Sequence, residues 1–211
     1  SKIDVVLLTH GHLDHTGYLP RLVKEGFNGP IIGSYPTLSV AQIILLDSAK
    51  IQEEQAKKAN EEGYSKYPKA LPFYDLKEAK RTIDLFSGRK KDEWVQLSDN
   101  IKVKFRYNGH IIGSTFIELE IFEKIFVFSG DIGRLNDALL LPPERPEWAN
   151  YLFLESTYGN KLHPKEDIAE ILSDLVQKTI QERGTLIIPS FAVERLQLLM
   201  YLFWQLYKKN K

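Results

Sequence analysis

Histidine and aspartate side chains are concentrated in one short run near the start of the chain. Residues 3–8 are apolar except for Asp4, and the sequence THGHLDHTG, which contains His10, His12, Asp14 and His15, follows at once. A run of β-branched and leucine residues is typical of a buried strand. We therefore expect this strand to present the four polar side chains at its carboxyl end, and this requirement constrains the fold more than any other feature.

The residue types and their spacing indicate a metal site. An imidazole binds zinc through one ring nitrogen, and the alternation of His10 and His12 directs both toward one ion, while Asp14 and His15 are placed for a second. Two cations about 3.5–4 Å apart can together activate water and hold a phosphate or carbonyl group. The pattern HxHxDH therefore predicts a dinuclear hydrolase site. The alternatives are a histidine-rich loop without metal and a redox metal such as iron in the same cage.

Composition excludes several classes of protein. Lysine plus arginine and aspartate plus glutamate each number 28, so the net charge is zero and favours neither nucleic acid nor an anionic membrane overall. The chain has no cysteine, which excludes disulfides and thiolate zinc ligands and is compatible with a reducing cytoplasm. The sequence shows neither a signal peptide nor a membrane-spanning segment, and we predict a cytoplasmic location.

The apolar periodicity and the helix-end signals predict an α/β protein with mixed sheets. Strands are predicted at 3–9, 30–35, 94–97, 101–107, 115–122, 124–129, 151–154 and 185–189, with a hairpin around residue 123. Helices are predicted at 18–25, from Thr37 as N-cap to 62, from Asp75 as cap to 86, from Pro164 to 183, and at 191–208. Strands with intervening helices imply an α/β sandwich.

Two further candidate ligands follow strands as the first cluster does. His110 follows the strand predicted at 101–107 in the sequence NGH, and Asp131 follows the strand predicted at 124–129 in the sequence SGD. The glycine before each residue permits a sharp turn and a close backbone approach. Taken alone, a core histidine and a capping aspartate would be the simpler interpretations. Together with the first cluster, the pattern predicts that both side chains join His10 at one sheet edge.

These motifs resemble motifs 2, 3 and 4 of the metallo-β-lactamase superfamily, and three segments are similar to its β-CASP nuclease branch. The sequence LESTYG at 154–159 looks like motif A, GHIIGS at 109–114 is similar to the AGHxxGS form of the branch related to the mRNA 3′-end cleavage factor, and LIIPSFAVER at 186–195 looks like the entry into the β-CASP domain. The resemblance implies part of a metallo-β-lactamase αββα sandwich with the start of a β-CASP domain.

The resemblance also implies a role for each site residue. The implied metal ligands are His10, His12 and His110 on one zinc, Asp14 and His15 on the other, and Asp131 bridging both. Glu155 matches the acid of motif A, which supports general-acid or proton-transfer work in the family. The implied catalytic residues are therefore Asp14, Asp131 and Glu155, and the implied cofactors are two zinc ions.

The family pattern extends beyond the 211 residues of this sequence. A later histidine motif, a final histidine ligand and the first strands of the fold are not found. We therefore expect a fragment, with the metallo-β-lactamase domain over 1–184, the transition into the β-CASP domain over 185–211, and an incomplete second zinc site. Glu194 stands where the family usually has glycine and is expected either to face solvent or to weaken RNA contact, and His163 is interpreted as structural or supporting.

The predicted function is a zinc-dependent ribonuclease that hydrolyses phosphodiester bonds of single-stranded RNA, by internal cuts or by 5′-to-3′ trimming. The alternatives are a small-molecule metallo-hydrolase, a DNA nuclease and an inactive RNA-binding scaffold. The motifs at 154–195 favour a nuclease over a small-molecule hydrolase, and inactive homologues typically lose ligands that this chain retains. A homodimer or partners in a processing complex are compatible with the sequence, and no membrane partner is predicted.

Overall fold

The computed structural model describes residues 2–162 and 167–209, and the chain forms two compact units, 1–155 and 156–211. The first unit contains the strands β1 (Val6–Leu7), β2 (Ile31–Ser34), β3 (Phe86–Arg89), β4 (Val95–Ser98), β5 (Ile101–Tyr107), β6 (Thr115–Ile121), β7 (Lys124–Phe128) and β8 (Tyr151–Phe153). Its helices are α1 (Leu13–Thr16), α2 (Leu19–Lys24), α3 (Tyr35–Glu62) and α4 (Leu76–Ile83), and the second unit contains α5 (Ile168–Gln181) and α6 (Arg195–Lys208). The predicted α/β class is confirmed.

Two sheets organise the first unit. The smaller sheet has three parallel strands in the order β1-β2-β3, and the larger has five strands in the order β4-β5-β6-β7-β8. The larger sheet is antiparallel except for its last pair, β7 with β8, which is parallel. The predicted hairpin is present, since β6 and β7 pair from Ile121 opposite Lys124 to Ile117 opposite Phe128.

The apolar faces of the two sheets pack against each other. Ile32 of the smaller sheet joins Val103, Phe105 and Ile117 of the larger sheet in one buried cluster. Along β5 the buried residues alternate with Lys102, Lys104 and Arg106, as expected for a strand with one face in the core. Each strand of this core therefore has one pairing register that buries its apolar side chains.

Helices cover the other face of the smaller sheet. Leu19 of α2, Leu38 of α3 and Phe27 form a buried cluster with Leu8 and Ile31. Further along α3, Leu45 and Ala49 pack against Tyr74 and Ala79 of the following segment and α4. The first unit thus contains a helix layer and two sheets, in agreement with the predicted sandwich.

In the first unit, several elements differ from the sequence predictions. The predicted strand at 3–9 is only two residues long as β1, although Leu8 N–H still donates to Ile32 O at 2.8 Å. The helix predicted to reach residue 86 ends at Ile83, and β3 begins at Phe86 because this segment pairs with β2. The short helix α1 was not predicted. Ser34 rather than Thr37 is the N-cap of α3, since its side chain accepts from Thr37 N–H.

In the second unit, α5 and α6 share a cluster of Leu172, Leu202 and Leu206. The strand predicted at 185–189 is not formed, because no described strand pairs with it and Ile187 is 80% exposed. The last predicted helix begins at Arg195 rather than at residue 191. Pro164, the predicted start of α5, and His163 lie outside the described residues.

Candidate metal centre

The carboxyl ends of three strands deliver the predicted ligands. His10 and His12 follow β1, His110 follows β5, and Asp131 follows β7. The main chain joins the two sheets at this edge, since Thr115 N–H at the start of β6 donates to Thr9 O at 2.8 Å. This bond places Thr9, the residue before His10, beside β6, the strand that follows the His110 loop.

The first histidine cluster turns sharply after β1. His12 is the N-cap residue of α1, and its carbonyl accepts from Thr16 N–H at 3.0 Å. Gly11 lies so close to α3 that a Cβ at this position would stand 2.8 Å from Val40 Cγ1. A larger residue is therefore excluded by packing at position 11, which explains the glycine between the two histidines.

Four side chains converge on one point. His12 Nδ1 lies 3.1 Å from His10 Nε2 and 3.1 Å from His110 Nε2. Asp131 Oδ2 lies 3.4 Å from His110 Nε2 and 3.8 Å from His10 Nε2. The ligand atoms of these four residues all lie within 4.8 Å of one another, which is the spacing expected of groups around one cation.

The remaining predicted ligands, Asp14 and His15, lie beside the first four, and the His15 ring centroid is 4.0 Å from that of His10. His15 Nε2 is 3.2 Å from Asp131 Oδ1 and 3.6 Å from Asp14 Oδ2. The two oxygens of Asp131 therefore face different groups of residues, one toward the three-histidine cluster and one toward His15. Asp14 is the most accessible member, with its side chain 77% exposed.

Burial keeps the histidines of the cluster neutral. Burial and the neighbouring His15, His110 and His12 lower the pKa of His10 from 6.5 to about 2. Burial also lowers the pKa of His12, although Asp14 and Asp131 oppose this effect. The pKa of His110 is lowered by burial and then by His12. A neutral imidazole carries the lone pair that a metal requires.

The donor set fits a metal ion. His10 Nδ1 lies 3.1 Å from Thr9 Oγ1, which can accept its proton and leave Nε2 with the lone pair. Three imidazole nitrogens and a carboxylate oxygen then face the same point, a mixture that suits zinc and related divalent ions. Because no proton can satisfy all three nitrogens at once, a cation at their centre removes the conflict.

Glu155 lies beside the Asp131 loop. Its carboxylate Oε1 accepts from Ile132 N–H at 3.2 Å, and its own N–H donates to Ser129 Oγ at 3.0 Å. Its negative charge also acts on His110, whose pKa it raises against the larger effects that lower it. The residue matched to motif A therefore stands next to the cluster and anchors the loop that carries Asp131.

Two supporting residues were not singled out from the sequence. Ser114 Oγ, which is fully buried, accepts from His110 N–H at 2.9 Å and from Ile111 N–H at 3.1 Å. Asn108 is also buried and contacts the Asp131 loop. Small polar residues next to a candidate ligand and a glycine are the signal that could have identified both.

Glu194 does not lie on the exposed face of a helix, as one interpretation expected. It is the N-cap residue of α6, half-buried, with a φ of 73°. A positive φ of this kind favours glycine over other residues.

The fold and the site together define an α/β protein in which histidine and aspartate side chains that could hold a metal ion lie at the common edge of two packed sheets. The profile of the metallo-beta-lactamase superfamily matches residues 1–168. The chain therefore belongs to the metallo-β-lactamase superfamily, as the sequence motifs predicted.

Similar proteins include several nucleases. The chain is 31% identical over 206 residues to Ribonuclease TTHA0252 of Thermus thermophilus, covering 97% of this chain and 43% of that protein. It is 30% identical to RNase aCSPSF2 of Saccharolobus solfataricus, covering 93% of this chain and 37% of that protein. Integrator complex subunit 11 of Danio rerio is 27% identical, with 96% and 33% covered. The chain thus spans less than half of each relative.

None of the described helices is long and apolar enough to cross a membrane.

Proposed function

We propose that this protein is a zinc-dependent ribonuclease of the β-CASP branch that hydrolyses phosphodiester bonds of single-stranded RNA. The observation that carries the proposal is Asp131, whose two oxygens face His110 and His15 at 3.4 and 3.2 Å. A carboxylate between two groups of ligands can bridge two neighbouring cations. Relatives named as ribonucleases, at about 30% identity over nearly the whole chain, support RNA as the substrate.

The proposed ligands are divided between two zinc ions. His10, His12 and His110 would hold the first, Asp14 and His15 would hold the second, and Asp131 would be shared between them. When bound, zinc at such a centre activates water for attack on phosphorus and neutralises charge that develops on the phosphate oxygens. Burial supports this assignment because it keeps His10, His12 and His110 neutral and ready to coordinate.

Three carboxylates carry the proposed acid–base work. The exposed carboxylate of Asp14 would accept a hydrogen bond from the attacking water and orient it, and Asp131 would help to position the same water. Glu155 holds the Asp131 loop through Ile132 N–H and assists proton transfer toward the leaving oxygen. The proposal further includes a domain boundary near residue 184, a cytoplasmic location and partners in a processing complex or a second copy of the chain.

The test compares matched end-labelled single-stranded RNA and DNA incubated with the zinc-loaded protein, with a chelator, and with the His12→Ala variant. Metal-dependent cleavage of RNA alone, lost in the variant, is the expected result. Cleavage of DNA would instead favour a DNA nuclease. If the zinc-loaded protein cleaves neither polymer, the ribonuclease proposal fails and a small-molecule hydrolase or a scaffold takes its place.

The roles of single residues are tested with the same assay. Asp14→Ala and His15→Ala are expected to reduce the rate of RNA cleavage by about a thousandfold or more, since each removes a ligand and Asp14 also orients the water. Circular dichroism should show a folded protein, because Asp14 and His15 are both exposed. Ser39→Ala on α3 is the control and should retain full activity. Full activity in the Asp14 variant would contradict the assignment.

A further inference from the structure

Asn108 occupies the position between β5 and the loop that carries His110. It is 1% exposed. Its side-chain amide donates one hydrogen bond to Ser129 O at 2.9 Å and another to Asp131 O at 2.8 Å. Both acceptors belong to the loop after β7, so a single side chain links the loop of one predicted ligand to the loop of another.

The other polar atoms of Asn108 add to this link. Its main-chain carbonyl oxygen accepts a hydrogen bond from Gly133 N–H at 2.9 Å. Gly133 lies beyond Asp131 in the same loop. Its side-chain oxygen accepts from His110 N–H at 3.4 Å. The residue therefore bonds to the Asp131 loop on both sides of Asp131 and, at the same time, to the backbone of His110.

The two loops are also in direct contact. A Cβ at Gly133 would stand 1.9 Å from Gly109 O, so only glycine fits where the loops meet. In the protein interior such close packing transmits a displacement of one loop to the other. The spacing between His110 and Asp131 is therefore determined by this contact together with the bonds of Asn108.

We propose that Asn108 is a positioning residue that sets the distance between His110 and Asp131 and thereby the affinity and coordination geometry of the metal centre. The inference rests on the proposed metal centre. A primary amide supplies two donors, and two carbonyl acceptors require both of them. Serine supplies one donor, alanine supplies none, and an ionised aspartate would place a negative charge against two carbonyl oxygens. Residues that orient metal ligands in this way contribute about 10–100-fold to metal affinity.

The experiment titrates the metal-free protein with Co²⁺, whose visible absorption reports coordination geometry, in competition with a chelator of known affinity. Asn108→Ala is expected to weaken Co²⁺ binding at the tightest site by about 10–100-fold and to change the absorption spectrum. Asn108→Ser, which keeps one donor, should show a smaller loss. The matched control is Thr82→Ala on α4, which removes a fully buried hydroxyl that donates to Glu78 O at 2.9 Å. It should leave affinity and spectrum unchanged even if the protein is less stable.

The outcomes separate this inference from the metal centre itself. If the unsubstituted protein does not bind Co²⁺, the metal-centre proposal fails. If it binds and a folded Asn108→Ala variant binds with the same affinity and spectrum, the metal centre stands and the role of Asn108 is refuted. If neither Asn108 variant folds, the role is also refuted, because Asn108 would then serve the fold rather than the spacing of the ligands.

Discussion

At the scale of single residues, burial decides the chemistry of the histidines. His10 is fully buried among three other imidazoles, and its pKa is lowered to about 2. An exposed histidine, whose pKa is about 6.5, would be partly protonated near neutral pH and would repel a cation. The environment of His10 therefore prepares it to bind metal, at the cost of sensitivity to acid.

This cost gives a prediction for the metal-free protein. Between pH 6.5 and about 2, the unfolded chain binds a proton at His10 and the folded protein does not. The contribution of neutral His10 to the free energy of unfolding is therefore fully present above pH 6.5. It is lost as the pH falls below 6.5, by on the order of 1 kcal/mol per pH unit for such a histidine. The lowered pKa values of His12 and His110 act in the same direction. Urea denaturation at pH 7.5, 6.5 and 5.5 measures this slope.

The control is His10→Asn, which removes the titrating group and should reduce the slope. If the free energy of unfolding of the metal-free protein is unchanged between pH 7.5 and 5.5, the histidines are not held neutral by the fold.

At the scale of elements, the start of α3 is joined to the His110 loop. Ser34 Oγ caps the helix by accepting from Thr37 N–H and also lies 2.6 Å from Gly113 O, to which Thr37 Oγ1 donates at 2.7 Å. Gly113 packs closely here, since a Cβ added at this position would stand 2.5 Å from Thr37 N. The helix cap and the loop after β5 therefore depend on the same two hydroxyl groups.

Ser34→Ala is expected to lower the free energy of unfolding by about 1–2 kcal/mol, because it removes a cap and leaves the partly buried carbonyl of Gly113 with one fewer donor. Chemical denaturation followed by circular dichroism measures the change. Ser39→Ala, on the exposed side of the same helix, removes a hydroxyl bonded to Tyr35 O and should change stability by less than about 0.5 kcal/mol. Equal effects of the two substitutions would show that the cap formed by Ser34 contributes no more to stability than the exposed hydroxyl of Ser39.

The hairpin between β6 and β7 gives a prediction of the opposite sign. Its two turn residues, Phe122 and Glu123, have φ values of 47° and 64°. Both positions of such a tight turn favour glycine or asparagine. Glu123→Gly is therefore expected to raise the free energy of unfolding by about 0.5–1 kcal/mol. Glu120→Gly, within β6, serves as the contrasting variant and should destabilise the protein, and a loss of stability in the Glu123 variant would contradict the argument.

At the scale of the whole molecule, the two groups of ligands differ in enclosure. The first point has four converging ligands, of which His10 is fully buried. The second has His15, Asp131 and the largely exposed Asp14. Isothermal titration of the metal-free chain with Zn²⁺ is expected to show one tight site and one weaker site completed by water. Two sites of equal affinity would contradict this, and Asp14→Ala should weaken only the second.

The sequence determined by itself the candidate ligand residues, the family and most of the elements. The run from His10 to His15 and the residues His110 and Asp131 follow apolar strands with glycine beside them, and this local pattern is readable without coordinates. Elements with weak local signals were missed. The segment Phe86–Arg89 contains serine and glycine and is a strand only because it pairs with β2. The segment 185–189 has strand composition and forms none, because a strand requires a paired neighbour.

Only the tertiary structure decided how the ligands are held. The pairing of Asp131 with His15 and His110, the bonds of Asn108 to the Asp131 loop, and the cap that holds Gly113 all join residues distant in sequence. The sequence could determine which side chains can bind a metal, because that is a property of residue type and local spacing. Their distances, burial and protonation depend on the packing of two sheets, and packing is a property of the folded chain alone.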